Sequence, residues 1–294
     1  MLAVLLLENQ GAAADEYFAD GLSEAITTRL GSVRHLGVIA WQSARQCKGT
    51  SKTPQQIGRE LGAQYLLEGT VRWEKSDRGP SKVRVSPTLI RVSDGTQLWA
   101  SQYDTVLAGV FAVQADLATS VVSALDLALG DAERQVLEAR PTANLQAYDA
   151  YLRGRAAIDK DWDRADLKTA LQMFERAIKL DSSFAVAWAW SSVLHVLFYS
   201  NYVDRSSDQL AIGEAEAEHA LRLAPNLPEA HGALGLYFFA GLRDWDRSLL
   251  EFTFARRARP SDAYFTGLIG IVKEHQGKWD ERYAMGTKPC SSIL

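Results

Sequence analysis

Asp161-Trp162-Asp163-Arg164, Asp244-Trp245-Asp246-Arg247 and Lys278-Trp279-Asp280-Glu281 are variants of one phrase, and the last two tryptophans stand 34 residues apart. A second phrase recurs between them. Phe174-Glu175-Arg176-Ala177-Ile178-Lys179-Leu180-Asp181 matches Ala217-Glu218-His219-Ala220-Leu221-Arg222-Leu223-Ala224, and again Phe252-Thr253-Phe254-Ala255-Arg256-Arg257-Ala258-Arg259. Self-similarity at that period is the signature of a stacked helix-turn-helix unit, each copy burying an apolar face that it cannot cover alone. The strand signals found earlier in the chain vanish after Arg140-Pro141-Thr142-Ala143-Asn144, which marks a domain boundary.

The repeated unit resembles the tetratricopeptide repeat. Leu234-Gly235 with Phe238 meets the family's first-helix pattern, and Ser248, Phe252 and Ala255 with a closing Pro260 meet the second. Three repeats are read, at roughly 144–181, 182–225 and 226–260, with a fourth begun at Ser261. The second departs from the pattern at Ser191-Ser192 and His195 and carries an extra loop around Asn201 to Asp208. Gly286 to Ser292 cannot supply the helix the fourth repeat needs, so residues 286–294 are expected to be a disordered tail of a truncated repeat array.

Before the boundary, strands and helices alternate. Leu2 to Leu7 is an apolar run of strand length. From Asp15, Phe18, Leu22, Ile26 and Leu30 recur every fourth residue on one helical face, up to Gly31. Leu36 to Ala40 reads as a strand. Thr53-Pro54 opens a second helix that stops at Gly62. Tyr65 to Trp73, Val83 to Val92 (with Pro87 warning of an edge or bulge) and Gln97 to Tyr103 read as three further strands, the first two joined by a turn at Ser76 to Pro80. Phe111 to Leu129 reads as a closing helix. The expected fold is α+β with two domains: residues 1–140 a small α/β domain, residues 141–285 an all-α repeat array.

Glu16-Tyr17-Phe18-Ala19-Asp20-Gly21-Leu22-Ser23-Glu24, Ile57-Gly58-Arg59-Glu60-Leu61-Gly62 and Leu98-Trp99-Ala100-Ser101-Gln102-Tyr103-Asp104 together resemble the TolB-type amino-terminal domain. In that family the domain precedes tetratricopeptide repeats and follows a class III adenylate cyclase domain, a winged-helix DNA-binding domain or a kinase. The resemblance implies that an effector belongs upstream of Met1.

Composition narrows the chemistry. The 294 residues are 47% hydrophobic and 23% charged, with a net charge of −4, so the chain is a folding sequence without a basic nucleic-acid footprint. Two distant cysteines, Cys47 and Cys290, make no disulfide framework and suit a reducing cytoplasm. Ala185 to Phe198 and Gly232 to Leu242 are too short to span a membrane. Met1 to Leu7 lacks the basic start and cleavage pattern of a signal peptide.

No phosphate-cradling glycine motif is present. Of the five histidines none has an i, i+4 partner, and His195, on an apolar helix, reads as a packed side chain. Asp15, Glu16, Asp20 and Glu24 crowd the start of a helix, where its dipole favours carboxylates without any metal. Cys47 beside Lys48 reads as a plain loop cysteine. No enzyme activity, metal or cofactor is expected.

The repeats are therefore the functional feature. In the family resembled, the first helices line a groove for a partner protein or peptide. That carries over to Val186, Ala189, Val193 and Val196 in the second repeat and Glu229, Gly232, Leu236 and Phe239 in the third. The groove lacks the family's carboxylate clamp, so an apolar segment is the expected guest, with the amino-terminal domain or a homodimer mate as competing occupants. The expected function is a non-catalytic interaction module of a bacterial signalling system, cytoplasmic, without nucleic-acid or membrane contact. The alternative is the regulatory carboxy-terminal part of an adenylate cyclase or of a winged-helix regulator.

Overall fold

The computed structural model describes the chain except residues 75–80, 107–108, 159–162, 202, 260–262 and 285–294, and except the side chains at 132, 263, 283 and 284. The turn at Ser76 to Pro80, Trp162, Pro260 and the tail expected at 286–294 lie outside the described residues. The chain divides into two compact units, Met1–Arg140 and Pro141–Leu294.

The first unit is built on a mixed sheet. β1 (Leu2–Val4) and β2 (Glu8–Asn9) both run parallel to β3 (Tyr65–Glu74), which pairs antiparallel with β4 (Lys82–Arg91) along its full length. Leu2 to Leu7 is thus not one strand. The pairing breaks after Val4, and the Leu7 amide takes the buried Ser23 hydroxyl at 2.9 Å. That hydroxyl lies on α1 (Glu16–Gly31), whose predicted stripe of Phe18, Leu22, Ile26 and Leu30 is wholly buried. Leu36 to Ala40 forms only a single bridge, Leu2 to Val38, and a short helix α2 (Trp41–Arg45) follows. α3 (Pro54–Leu61) begins with the expected Thr53 cap, reciprocated by Gln56, and ends at Gly62 with φ +67°.

Gln97 to Tyr103 is two strands, β5 (Gln97–Ala100) and β6 (Tyr103–Val106), both paired with β4. The break explains Pro87. The Pro87 carbonyl accepts from the Ser101 amide at 3.2 Å, so its ring nitrogen faces the gap between β5 and β6, where no ladder donor is needed. Opposite it stands Gly69, where a Cβ would come within 2.8 Å of the Pro87 Cα. The last helix of this sheet, α4 (Val110–Ala124), stops short of the expected Leu129 because Asp126 turns left-handed at φ +54°. α5 (Asp131–Glu138) follows and is held by Arg29, a buried cation donating to the carbonyls of Leu137 and Ala139 at the helix end.

Among its described residues the second unit's regular secondary structure is all helical. Its helices are α6 (Leu145–Ile158), α7 (Arg164–Leu180), α8 (Ala185–Ser200), α9 (Ser207–Leu223), α10 (Pro228–Leu236), α11 (Trp245–Ala258), α12 (Ala263–His275) and α13 (Trp279–Ala284). A π-helical turn, Tyr237–Leu242, prolongs α10. Each helix packs on its successor, most heavily as the pairs α6/α7, α8/α9 and α10/α11. Asp163 and Asp244 cap α7 and α11 by accepting amides three residues on, from the third position of the phrase in one case and the first in the other. Trp245 of that phrase packs on Phe239 and His275, whereas Trp279 is 47% exposed.

Candidate functional site

The helix pairs are closed in two different ways. In α6/α7 a Cβ placed on Gly154 would lie 2.7 Å from the Phe174 ring, and in α10/α11 one on Gly235 would lie 2.6 Å from the Phe252 ring. Both rings are fully buried. A glycine on the first helix thus seats an aromatic from the second, and an added methyl has no room there.

The pair α8/α9 has Ser192 where the others have glycine and Ala217 where they have phenylalanine. Its layer is polar. The Ser192 hydroxyl donates to the Gly213 carbonyl at 2.6 Å, and a Cβ on Gly213 would meet the Val196 side chain at 2.9 Å. Ser191, Ser192 and His195 are all buried on α8. From α9, Gln209, Gly213 and Glu216 fall at i, i+4 and i+7, one face of the helix, and meet them.

The hydrogen bonds fix who carries the protons. Asp204, in the loop between the two helices, accepts from Gln209 Nε2 at 2.8 Å and from the Ser206 amide at 3.0 Å. Those donors hold the Asp204 carboxyl below the usual range, so it stays an acceptor. Gln209 must then present Oε1 to His195 Nδ1, 2.7 Å away, and Nδ1 carries a hydrogen. His195 Nε2 faces Glu216 Oε2 at 3.9 Å. Glu216 Oε2 is buried with no hydrogen-bond partner. Burial, chiefly, pushes the Glu216 carboxyl up to about 7, with the nearby Ser191 hydroxyl opposing and the Glu175 carboxylate adding to the rise.

Most of the residues expected to line a groove on the first helices are buried in the helix packing. Ala189, Val193 and Val196 of α8, and Leu236 and Phe239 of the α10 region, are members of one buried cluster. Gly232 lies against Phe265 of α12, with a Cβ position 2.8 Å from that ring. Glu229 is half-buried and ion-paired with Arg259, and Val186 is half-buried. Neighbouring helices cover most of the stripe.

His195 is a packed histidine, as its apolar helix suggested. Glu16 and Asp20 meet Lys48 Nζ at 2.7 and 2.6 Å, an ion-paired surface cluster. Among the described residues no group of three or more His, Cys, Asp or Glu side chains is placed to hold a metal, and no helix is long and apolar enough to cross a membrane. Sequence reading passed over Glu216, Gln209 and Asp204. Their signal was present: polar side chains at helical spacing opposite an interior Ser-Ser-x-x-His.

No family model matches the chain. A protein of Rhizobium meliloti (strain 1021) named "Putative adenylate cyclase 3" is 32% identical over 237 residues, which is 80% of this chain and 39% of that protein. The chain therefore spans about two-fifths of the length of the curated relative it matches. Two solved structures of the PelC dodecamer of Paraburkholderia phytofirmans align with 43% and 44% of the chain and 88% of each PelC chain, at 21% identity and a TM-score of 0.30, a likeness too slight to bear on fold or activity.

Proposed function

We propose that the chain is a non-catalytic regulatory module of a bacterial signalling protein, a TolB-type domain followed by tetratricopeptide repeats that take a protein or peptide partner. The observation that carries this reading is the recurrence of a glycine under an aromatic in α6/α7 and in α10/α11, spaced as the sequence repeats are. Small residues that let paired helices approach are what the repeat family uses. A second reading, favoured by the Rhizobium meliloti relative, makes the module the regulatory part of an adenylate cyclase acting on cyclic nucleotide signalling. The two readings share one test. The matching stretch would be deleted from the relative, and cyclic AMP formation measured for the intact protein, the deletion, the deletion supplemented with this chain, and this chain alone. The expected result is no cyclic AMP from this chain above a blank, an altered output on deletion, and partial restoration by the added chain. Cyclic AMP made by this chain alone would overturn the non-catalytic reading, and an unchanged output on deletion would overturn the regulatory one.

A further inference from the structure

The chain of contacts Asp204–Gln209–His195–Glu216 has a proton inventory that does not close by itself. With Nδ1 committed to Gln209, a neutral His195 turns a bare lone pair toward Glu216 Oε2. An ionised Glu216 offers only lone pairs in return, in a buried setting where unpaired acceptors are costly. A proton on Glu216 removes the conflict. A further carboxylate, Glu175 of α7, adds to the negative charge on that side. On its other flank α9 presents Glu214 and Glu218 near Tyr237, with Arg247 also close to that side chain.

We propose that α8/α9 is a proton-held joint: a proton on Glu216, facing His195, keeps this helix pair closed, and its loss loosens α9 and the 203–206 loop from α8 while α6/α7 stays closed. The loop belongs to the joint because Asp204 orients Gln209, and the Val203 and Asp204 amides both reach the Phe198 carbonyl, at 2.9 and 3.1 Å. The sign follows from the raised Glu216 carboxyl. Between its ordinary 4.5 and about 7 the folded chain keeps a proton that the unfolded chain has released, so closure weakens as pH rises through that window. The joint is a property of the hairpin and does not depend on the proposed regulatory role.

Amide hydrogen exchange of the full chain, expressed as protection factors so that the pH dependence of the chemical exchange cancels, tests this directly. From pH 5.5 to 8, peptides from α8 and α9 are expected to lose protection by about tenfold or more relative to α6 and α7. Glu216→Gln, which keeps a neutral donor at all pH values, should abolish that relative loss. Glu175→Gln, at a half-buried position that tolerates an amide, should move the midpoint to lower pH. Parallel protection in both helix pairs across the range would overturn the proposal. A pH response that survives Glu216→Gln, or a midpoint unmoved by Glu175→Gln, would do the same.

Discussion

The α8/α9 and α10/α11 pairs are successive helix hairpins held by opposite chemistry. Phe252 fills a dry seat over Gly235, and its stabilisation is dispersion and apolar burial, indifferent to pH. In α8/α9 the corresponding position is Ala217, and Ser192, His195, Gln209 and Glu216 supply directional contacts instead. The third pair has its own His–carboxylate contact, His231 Nδ1 to Glu251 Oε2 at 2.6 Å, but it lies at the rim, and His231 Nε2 has the Pro225 carbonyl as a second partner. What differs is therefore burial together with the unmet acceptor at Glu216. Successive helix pairs can share one mode of packing while each joint answers differently to solvent conditions.

The comparison can be broken at either pair. The largest effect is expected at Phe252→Ala, which empties a fully buried aromatic site and should cost about 3–5 kcal/mol in urea unfolding. A loss near 1 kcal/mol would mean that the glycine–aromatic seat does not close the pair. Next, Glu216→Gln should erase a pH-dependent contribution of up to about 3 kcal/mol, measured as unfolding free energy at pH 5 and pH 8. The wild type should lose stability over that interval relative to the variant, and matching slopes would deny Glu216 its role. Ala217→Phe should then destabilise by about 1–3 kcal/mol, since the fully buried Ala217 has no glycine opposite to receive a ring. Tolerance of that ring would show that the polar layer leaves spare room. The smallest effect is Ser192→Ala, which removes the bond to the Gly213 carbonyl at about 1 kcal/mol.

The packing also sets the expected effect of a variant in the predicted groove. Val193→Glu with Leu236→Glu places two carboxylates at positions 8% and 4% exposed, so loss of folding is expected rather than selective loss of a partner. A melting temperature within a few degrees of wild type would return those faces to the surface.

Sequence reading was strongest where one periodicity decided the outcome. The α1 stripe, the Thr53 cap and the repeated helix starts needed only local rules. It failed where a partner strand or helix made the decision. Gln97 to Tyr103 has strand composition throughout, yet Pro87 across the ladder imposes a break at Ser101. Val193 and Leu236 are buried, and a single helix does not reveal which of its apolar sides a neighbour covers. The polar layer was half-visible. Ser191, Ser192 and His195 stood out as departures from the repeat, but their meaning lay in Glu216, 21 residues beyond His195 and close to it only once the hairpin closes.

The central claim is that Glu216 is a buried carboxyl held in its protonated form well above the ordinary range. Carbon-13 labelling of glutamate side chains, with the Glu216 resonance assigned by its loss in Glu216→Gln and its shift followed from pH 3 to pH 9, measures this directly. The account predicts a titration midpoint at about 7 for Glu216. A midpoint at the ordinary 4.5 would mean that this carboxyl ionises freely beside His195, and the polar joint would be no more pH-sensitive than the aromatic ones.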